Sequence, residues 1–247
     1  MNLATFEEKL SSISQRTLAW ISLAGMAGFM AFIAASISYY PGGNCFNRRA
    51  PGHSFTKNFL CDLMQSQGWN RVDNPVGSIM AKLGMVVILV AMASFFLQVA
   101  KYRLPDDETA KLTRRVGLFA CMFGFSVPLV PADWFYTAHL VAVVGSFLPA
   151  IVATVAAFII CFRTPGVPPW LKGIALLTIG AATIDFILYV IGYGMLFGIV
   201  PPIQRRNLNY ALPIIQRIAT LGLLAWVIAT LLLVSSLALG LWLWRVR

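Results

Sequence analysis

Long charge-poor stretches alternate with short polar connections along the whole chain. Each stretch is long enough to cross a bilayer, since about 20 helical residues span a hydrocarbon core of roughly 30 Å. Backbone groups in hydrocarbon must be hydrogen-bonded within their own segment, so the pattern predicts helices. Six such segments are found, at residues 18–38, 79–100, 116–132, 138–162, 171–200 and 212–244.

The composition is typical of a membrane protein. Hydrophobic residues make up 59% of the 247 positions, charged residues only 11%, and the mean hydropathy is +0.77. A soluble domain of this size needs a more polar surface. We therefore predict an all-α, polytopic membrane protein. Its six-transmembrane-helix bundle covers residues 18–247, with a long ordered first extracytoplasmic loop at 39–78 and an amphipathic cytoplasmic segment at 1–17.

Basic residues in the connections set the predicted orientation. They are more numerous on the side that carries both chain ends, which places both termini in the cytoplasm. The net charge of +10 is spread over loops on both faces, without a basic stripe. Attraction to anionic lipid headgroups explains this spread better than binding to nucleic acid. We expect membrane lipids as partners and no nucleic acid.

The four cysteines divide by location. Cys121 and Cys161 fall inside apolar segments, where a buried small side chain is the default interpretation. Cys45 and Cys61 both fall in the first loop, which the orientation places in an oxidising compartment. We predict that they form a disulfide, which would close a loop of about 16 residues and contribute on the order of 3 kcal/mol.

Polar residues inside or beside the apolar segments gather toward one side of the predicted bundle. Charged groups in a membrane are costly and usually face the bundle interior. Asp185 is the deepest, and Arg217 is the predicted partner, with a protonated carboxyl or a hydrogen bond to Ser or Thr as the competing interpretations. A helix-to-helix clamp without chemistry is equally consistent with the pattern. The other members are Asp133, His139 and Gln216.

The two histidines, His53 and His139, are predicted to lie on the outer side beside Asp62 and Asp133. Two imidazoles and two carboxylates could hold zinc with an open position for water. They could equally supply a general base and the acid that orients it. The simpler interpretation is a pair of interfacial histidines hydrogen-bonded to backbone or water. No fixed metal-binding spacing supports zinc, so we predict that no cofactor is required.

The order of these features resembles a prokaryotic membrane family catalogued as domain of unknown function 998, itself distantly similar to DRAM-like membrane proteins. The stretch 58–63, Asn-Phe-Leu-Cys-Asp-Leu, His139 after a proline-containing hairpin, and Gln216 in the last helix carry the resemblance. Cys61 and Met64 stand where the family more often has Ser and Gly, which favours a structural Cys61. The resemblance implies six helices and a bacterial cytoplasmic (inner) membrane, but no established reaction. Some DRAM-like relatives are linked to lipid remodelling.

Three classes of function remain. The first is a protein that binds or modifies a lipid or amphiphile at a polar site near the extracytoplasmic helix ends; as an enzyme it would resemble a lipid hydrolase or acyltransferase. The second is an accessory subunit that binds other membrane protein subunits. The third is a small-solute transporter, although the chain shows no convincing internal repeat. For the first class we predict catalytic Asp62, His139 and Asp133, and substrate-binding His53, Asn58, Gln216, Arg217 and Asp185.

Overall fold

The computed structural model describes residues 12–104, 106–196 and 205–245. The predicted amphipathic segment at 1–17 therefore falls mostly outside the described residues. The regular secondary structure in the described part of the chain is helical, and β-pairing there is limited to isolated bridges. Six α-helices lie within these residues: α1 (Gln15–Tyr39), α2 (Pro75–Ala100), α3 (Glu108–Gly124), α4 (Tyr136–Arg163), α5 (Pro169–Leu196) and α6 (Arg205–Arg245).

Consecutive helices pack as neighbours, α1 along α2, α3 along α4 and α5 along α6, and α2 also contacts α3. Small residues let the first pair approach closely. A Cβ added at Gly25 would lie 2.6 Å from the Cβ of Ala91, and Ser22 Oγ donates a 3.0 Å hydrogen bond to the Ala91 carbonyl oxygen. Small residues that bring helix backbones together are typical of helix packing in membranes.

Aromatic side chains fill the centre of the bundle, where α2 meets α6. Phe95 and Trp226 are fully buried, and their ring centroids lie 5.4 Å apart in an edge-to-face arrangement. Met26 from α1 and Ile160 from α4 belong to the same hydrophobic cluster. Helices from both ends of the sequence thus share one core.

Among the described residues, five helices are long and apolar enough to cross a membrane by length and composition. The third predicted segment, at 116–132, differs from the structure. Its helix begins at Glu108, where the Asp107 side chain accepts a 3.0 Å hydrogen bond from the Ala110 N–H. It ends at Gly124, ahead of a 3-10 turn (Val127–Leu129) that contains a proline. The result is 17 residues whose first two turns carry most of the charges, so α3 is shorter and more polar than predicted.

The ends of the helices define two faces of the bundle. On one face, Lys101 Nζ, just after α2, donates to the carbonyl oxygen of Ile13, just before α1. On the opposite face lies the connection 40–74, which joins α1 to α2. Ser66 from this connection bonds Asp133, between α3 and α4. We call the side that carries residues 40–74 the loop face.

The connection 40–74 is held to the helices by many polar contacts. Ser78 Oγ of α2 donates to the Met64 carbonyl oxygen at 2.7 Å, and the Asn74 amide donates to the Leu63 carbonyl oxygen at 3.2 Å. Gly43 allows the chain to fold back, because it has a φ of +83° and a Cβ there would lie 2.6 Å from the Asn70 nitrogen. A 3-10 turn (Cys61–Met64) forms its centre, with Leu63 completely buried.

Candidate functional site

The polar centre of the loop face is built on a tight turn that precedes Cys61. Asn58 is fully buried, and its Nδ2 donates 3.0 Å hydrogen bonds to the Gly43 carbonyl oxygen and to Asp62 Oδ2. The same carboxylate oxygen accepts a 2.9 Å bond from the Phe59 N–H. The Asp62 carboxylate therefore accepts two hydrogen bonds from the turn that precedes it. Donors arranged in this way stabilise a buried carboxylate.

Helix α6 meets this turn with two consecutive polar side chains. Gln216 Oε1 accepts from the Leu60 N–H at 2.9 Å and from Arg217 Nη1 at 3.1 Å. Arg217 Nη2 donates to the Asn58 carbonyl oxygen at 2.9 Å. The guanidinium carbon of Arg217 also lies 5.2 Å from the ring centroid of Phe55, a cation–π contact. The sequence pattern placed these residues on one side, and the structure joins them directly.

A cavity of about 530 Å³ extends from this centre into the bundle. Its lining recurs every three or four residues along α4, from Tyr136 to Thr154. The cavity thus follows one face of that helix for roughly 27 Å at 1.5 Å per residue. Apolar side chains form most of the wall, including Phe29, Ile33, Met85, Ile88, Val143, Phe147, Ile151, Phe186 and Leu223. Polar side chains also line it, among them Asp62, Gln65, Trp69, His139, Asp185 and Gln216.

Asp62 is 4% exposed. Burial raises the pKa of its carboxyl to about 6, against the opposing effects of Asn58, the Phe59 N–H, Trp69 and Arg217. The Trp69 indole N–H is near enough to lower this pKa but makes no hydrogen bond of normal geometry, although it is buried. An unpaired buried donor in the cavity wall is uncommon, and a ligand oxygen could accept from it.

His53 lies in the same cluster, beside Tyr40. The two ring centroids are 5.5 Å apart in an edge-to-face arrangement, and His53 Nε2 is buried without a hydrogen-bond partner. Burial, reinforced by the positive charge of Arg217, lowers the pKa of His53 to about 4. His53 is therefore neutral at physiological pH.

His139 is 3% exposed and lines the cavity from α4. Its Nδ1 lies 2.9 Å from the Val130 carbonyl oxygen. A carbonyl oxygen only accepts, so Nδ1 carries the proton in the neutral ring and Nε2 holds the lone pair. This tautomer leaves a basic nitrogen for a ligand or water in the cavity.

Asp185 is buried in α5 and lines the same cavity. It lies within electrostatic range of Arg217, the partner predicted for it. The two described side chains make no direct ion pair with each other. Arg217 instead satisfies its donors on the loop backbone and on Gln216, so Arg217 acts on its predicted partner Asp185 by a longer-range attraction and not by a direct ion pair.

Asp133 lies apart from Asp62, in a neighbouring cavity of about 590 Å³ at the loop face. Its Oδ2 accepts from the Ser66 N–H at 2.8 Å and from the Ser66 hydroxyl at 2.5 Å. Trp134 Nε1 donates to the same hydroxyl at 3.0 Å. Asp133 is within electrostatic range of His139, yet its direct partners belong to the loop.

The residues considered for zinc do not converge as that arrangement requires. His53 packs on Tyr40, whereas His139 bonds the Val130 backbone, nine positions before it. Across residues 12–104, 106–196 and 205–245, no group of three or more His, Cys, Asp or Glu side chains is placed to hold a metal ion.

The predicted disulfide between Cys45 and Cys61 is not formed, because both are free thiols. Both line the cavity that extends along α4. Burial, with a further contribution from Asp62, raises the pKa of Cys45 to about 11 and that of Cys61 to about 12. Loop-closure entropy gives the stability that a disulfide would contribute once formed. A disulfide also requires the two Cβ atoms to lie at a suitable distance and orientation. The turns around Asn44 and Asn58 fix the two backbones instead.

Sequence reasoning missed several residues of the site. Trp69 lines the cavity and Phe55 stacks on Arg217, although neither was predicted as a site residue. Gln65 lines both cavities. The available signal was the alternation of aromatic and polar residues in the first loop.

Comparison of the chain with protein-family models, with curated proteins and with solved structures finds no match. The resemblance to domain of unknown function 998 stays a prediction.

Proposed function

We propose that this membrane protein binds a lipid or another amphiphile in the cavity along α4, with the polar part of the ligand at the loop face. The main support for this proposal is the shape and chemistry of the cavity. It has a volume of about 530 Å³ and extends along α4, and its wall is mostly apolar but polar where Asp62 and Gln216 line it. Ligand pockets of this volume are typically apolar with a few placed polar groups.

The apolar and the polar lining residues match two different parts of the ligand. An acyl chain fits a channel walled by Ile33, Met85, Ile88 and Ile151, because burying apolar surface contributes about 25 cal/mol per Å². A hydroxyl, ester or phosphate oxygen fits the end where the Trp69 N–H, near Asp62, makes no hydrogen bond of normal geometry. A ligand with only one of these parts would leave either the apolar wall or the polar end unmatched.

We further propose that α3 spans the membrane with the other five helices, that both termini are cytoplasmic and that the loop face is extracytoplasmic, in a bacterial cytoplasmic membrane. The support is the opposite placement of the two ends of α3. Glu108 follows the connection that begins at Lys101, whereas Ser126 and Val130 lead to Asp133 at the loop face. Reporter fusions after residues 70, 104 and 133 test this, since 104 must report the cytoplasm while 70 and 133, on the far sides of α2 and α3, must both report the opposite compartment.

The binding proposal is tested by filling the cavity. Ala150→Phe places a ring in the cavity wall, whereas Val152→Phe, on the same helix at a position that is 40% exposed, is the matched control. Both full-length variants and the wild type are purified in a mild detergent, and co-purified lipid is quantified by native mass spectrometry. We expect wild type and Val152→Phe to carry bound lipid and Ala150→Phe to lose it. Equal lipid in all three proteins would refute the proposal.

The second candidate is a lipid hydrolase or acyltransferase-like activity at the same site. The observation that favours it is the His139 tautomer, whose unprotonated Nε2 can accept a proton from water or from a ligand hydroxyl. Lipid mass spectrometry of membranes with the wild type, with His139→Gln and without the protein tests this. An altered lipid that requires His139 supports the enzyme. Co-purifying membrane subunits without any lipid change would support an accessory subunit instead.

A further inference from the structure

The second cavity at the loop face is continuous in its walls with the first. Gln65, Trp69, Ala132 and Tyr136 line both. A ligand whose tail fills the first cavity would therefore have its headgroup at or in the second. We call the second cavity the vestibule.

Two arginines line the vestibule, Arg48 and Arg71. Both are exposed, and neither forms an ion pair with a carboxylate in the described part of the chain. Asp133 also lines the vestibule, with Oδ2 engaged by Ser66. Two guanidinium groups and one carboxylate leave the vestibule with a net positive charge. Guanidinium groups match the oxygens of a phosphate in a forked, two-bond geometry.

The backbone of Arg71 is an independent observation. Its φ of +64° is the one positive φ among non-glycine residues that the structure describes. The turn is closed by hydrogen bonds from the Arg71 N–H to the Gly68 carbonyl oxygen and from the Gly68 N–H to the Val72 carbonyl oxygen, both 2.9 Å. Glycine would adopt this conformation without strain, so an arginine there indicates a need for its side chain.

We propose that the vestibule binds the phosphate of an anionic phospholipid through Arg48 and Arg71, while the acyl chain occupies the cavity along α4. This inference rests on the proposed function, because the tail gives the headgroup its position. Trp134, 67% exposed in the vestibule wall, suits the interfacial depth of a headgroup.

The test measures equilibrium binding of three probes to the purified full chain by microscale thermophoresis: dihexanoyl phosphatidylglycerol, dihexanoyl phosphatidylethanolamine and inorganic phosphate. We expect phosphatidylglycerol to bind about tenfold more tightly than phosphatidylethanolamine, and free phosphate more weakly than either. The double variant Arg48→Ala/Arg71→Gly should lose this preference. Arg49→Ala, an exposed neighbour outside the vestibule wall, should keep it.

The single variant Arg71→Gly serves as a control for folding. Because it relieves a strained backbone, it should unfold at the wild-type temperature or above. Equal binding of both lipids, abolished by Ala150→Phe, would overturn the vestibule site and leave the proposed function intact. Binding of neither lipid would overturn both. Inorganic phosphate binding as tightly as phosphatidylglycerol would indicate a free-anion site and overturn the lipid assignment. Tighter phosphatidylethanolamine binding that Asp133→Asn weakens would overturn the choice of an anionic lipid.

Discussion

Arg217 Nη2 donates a 2.9 Å hydrogen bond to the carbonyl oxygen of Asn58, a residue 159 positions earlier in the chain. Both residues are buried. A buried guanidinium needs acceptors on its fixed fork of donors, and here the loop backbone and Gln216 supply them. The last helix is thereby joined to the turn that positions Asp62.

Replacing Arg217 should loosen the loop. Arg217→Met removes two charge-assisted hydrogen bonds and leaves the Asn58 carbonyl oxygen unpaired, so we expect a loss of about 3 kcal/mol in the free energy of unfolding. Thermal unfolding in detergent measures the loss. Hydrogen exchange at the Phe59 and Leu60 amides should accelerate in the same variant.

Ile218→Met is the matched control, because Ile218 is 44% exposed on the same helix. It should unfold at the wild-type temperature. Wild-type exchange rates at Phe59 and Leu60 in Arg217→Met would contradict the role given to Arg217.

The pH dependence of stability should reveal Asp62 and His53 with opposite signs. Burial raises the pKa of Asp62 to about 6, above about 3.9 in the unfolded chain. Its contribution is fully present below about pH 4 and is lost as the pH rises through about 6. The pKa of His53, lowered to about 4 by burial and Arg217, gives the reverse: a contribution present above about pH 6.5 and lost as the pH falls through about 4.

Each group can be isolated by substitution. As the pH falls from 6 to 4, the free energy of unfolding of the wild type should gain about 2 kcal/mol that Asp62→Asn does not gain, because only the wild type protonates Asp62. His53→Gln should gain unfolding free energy relative to the wild type over the same pH interval, because it lacks the loss that comes from protonating His53. Unfolding titrations at half-unit pH steps measure both. Parallel curves for the wild type and Asp62→Asn would show that the Asp62 carboxyl is not shifted.

Gln216 can be tested by a pair of substitutions. Its Oε1 accepts from both Leu60 and Arg217. Gln216→Glu keeps an oxygen at this position and should retain most of the stability, whereas Gln216→Ala leaves two donors unpaired and should cost about 2 kcal/mol. Thermal unfolding separates the two. An equal loss in both variants would mean that the side-chain amide, rather than its oxygen, matters.

Asp133 should behave as a residue that positions the loop. Asp133→Ala removes the acceptor of two Ser66 bonds, but the site is exposed, so we expect a loss of about 1 kcal/mol. Protease accessibility of residues 65–68 should rise, and Ser66→Ala should show a smaller rise. Lost lipid turnover in Asp133→Ala with unchanged protease accessibility would instead return Asp133 to the catalytic role predicted from sequence.

The cysteines should all be thiols. The mass of the intact protein, unfolded without reductant in the presence of iodoacetamide, should increase by four carbamidomethyl groups. In the folded protein Cys45 and Cys61 should react slowly near pH 8, because burial raises the pKa of Cys45 to about 11 and that of Cys61 to about 12. Only two modified cysteines after unfolding would restore the disulfide.

The helices and the polar centre could be predicted for different reasons. Hydrophobic length fixes where a helix can cross a membrane, and five predicted segments correspond to long apolar helices. The cost of burying charge predicted that Arg217 and Asp185 face the interior, and both are buried. The hydrogen-bond partners of Arg217 could not be predicted, because backbone oxygens such as that of Asn58 leave no trace in the sequence.

The bounds of the third segment and the state of Cys45 and Cys61 could not be predicted from the sequence pattern. An apolar window ignores the N-cap of Asp107 and the proline-containing turn at Val127–Leu129, which together move α3 toward its charged end. Cysteine spacing likewise carries no information on whether two side chains point at each other. Separating Asp133 from Asp62 required the course of residues 40–74, which contains no helix longer than one turn in the structure.

The 17 residues of α3 reach only about 26 Å along the helix axis, whereas the other five helices have 25 or more residues. In the six-span arrangement, acyl chains beside α3 must compress or tilt to match its short apolar length. Thinning on that flank lowers the local barrier to a lipid that moves toward the bundle. Lipids with short or unsaturated chains should therefore be enriched beside α3.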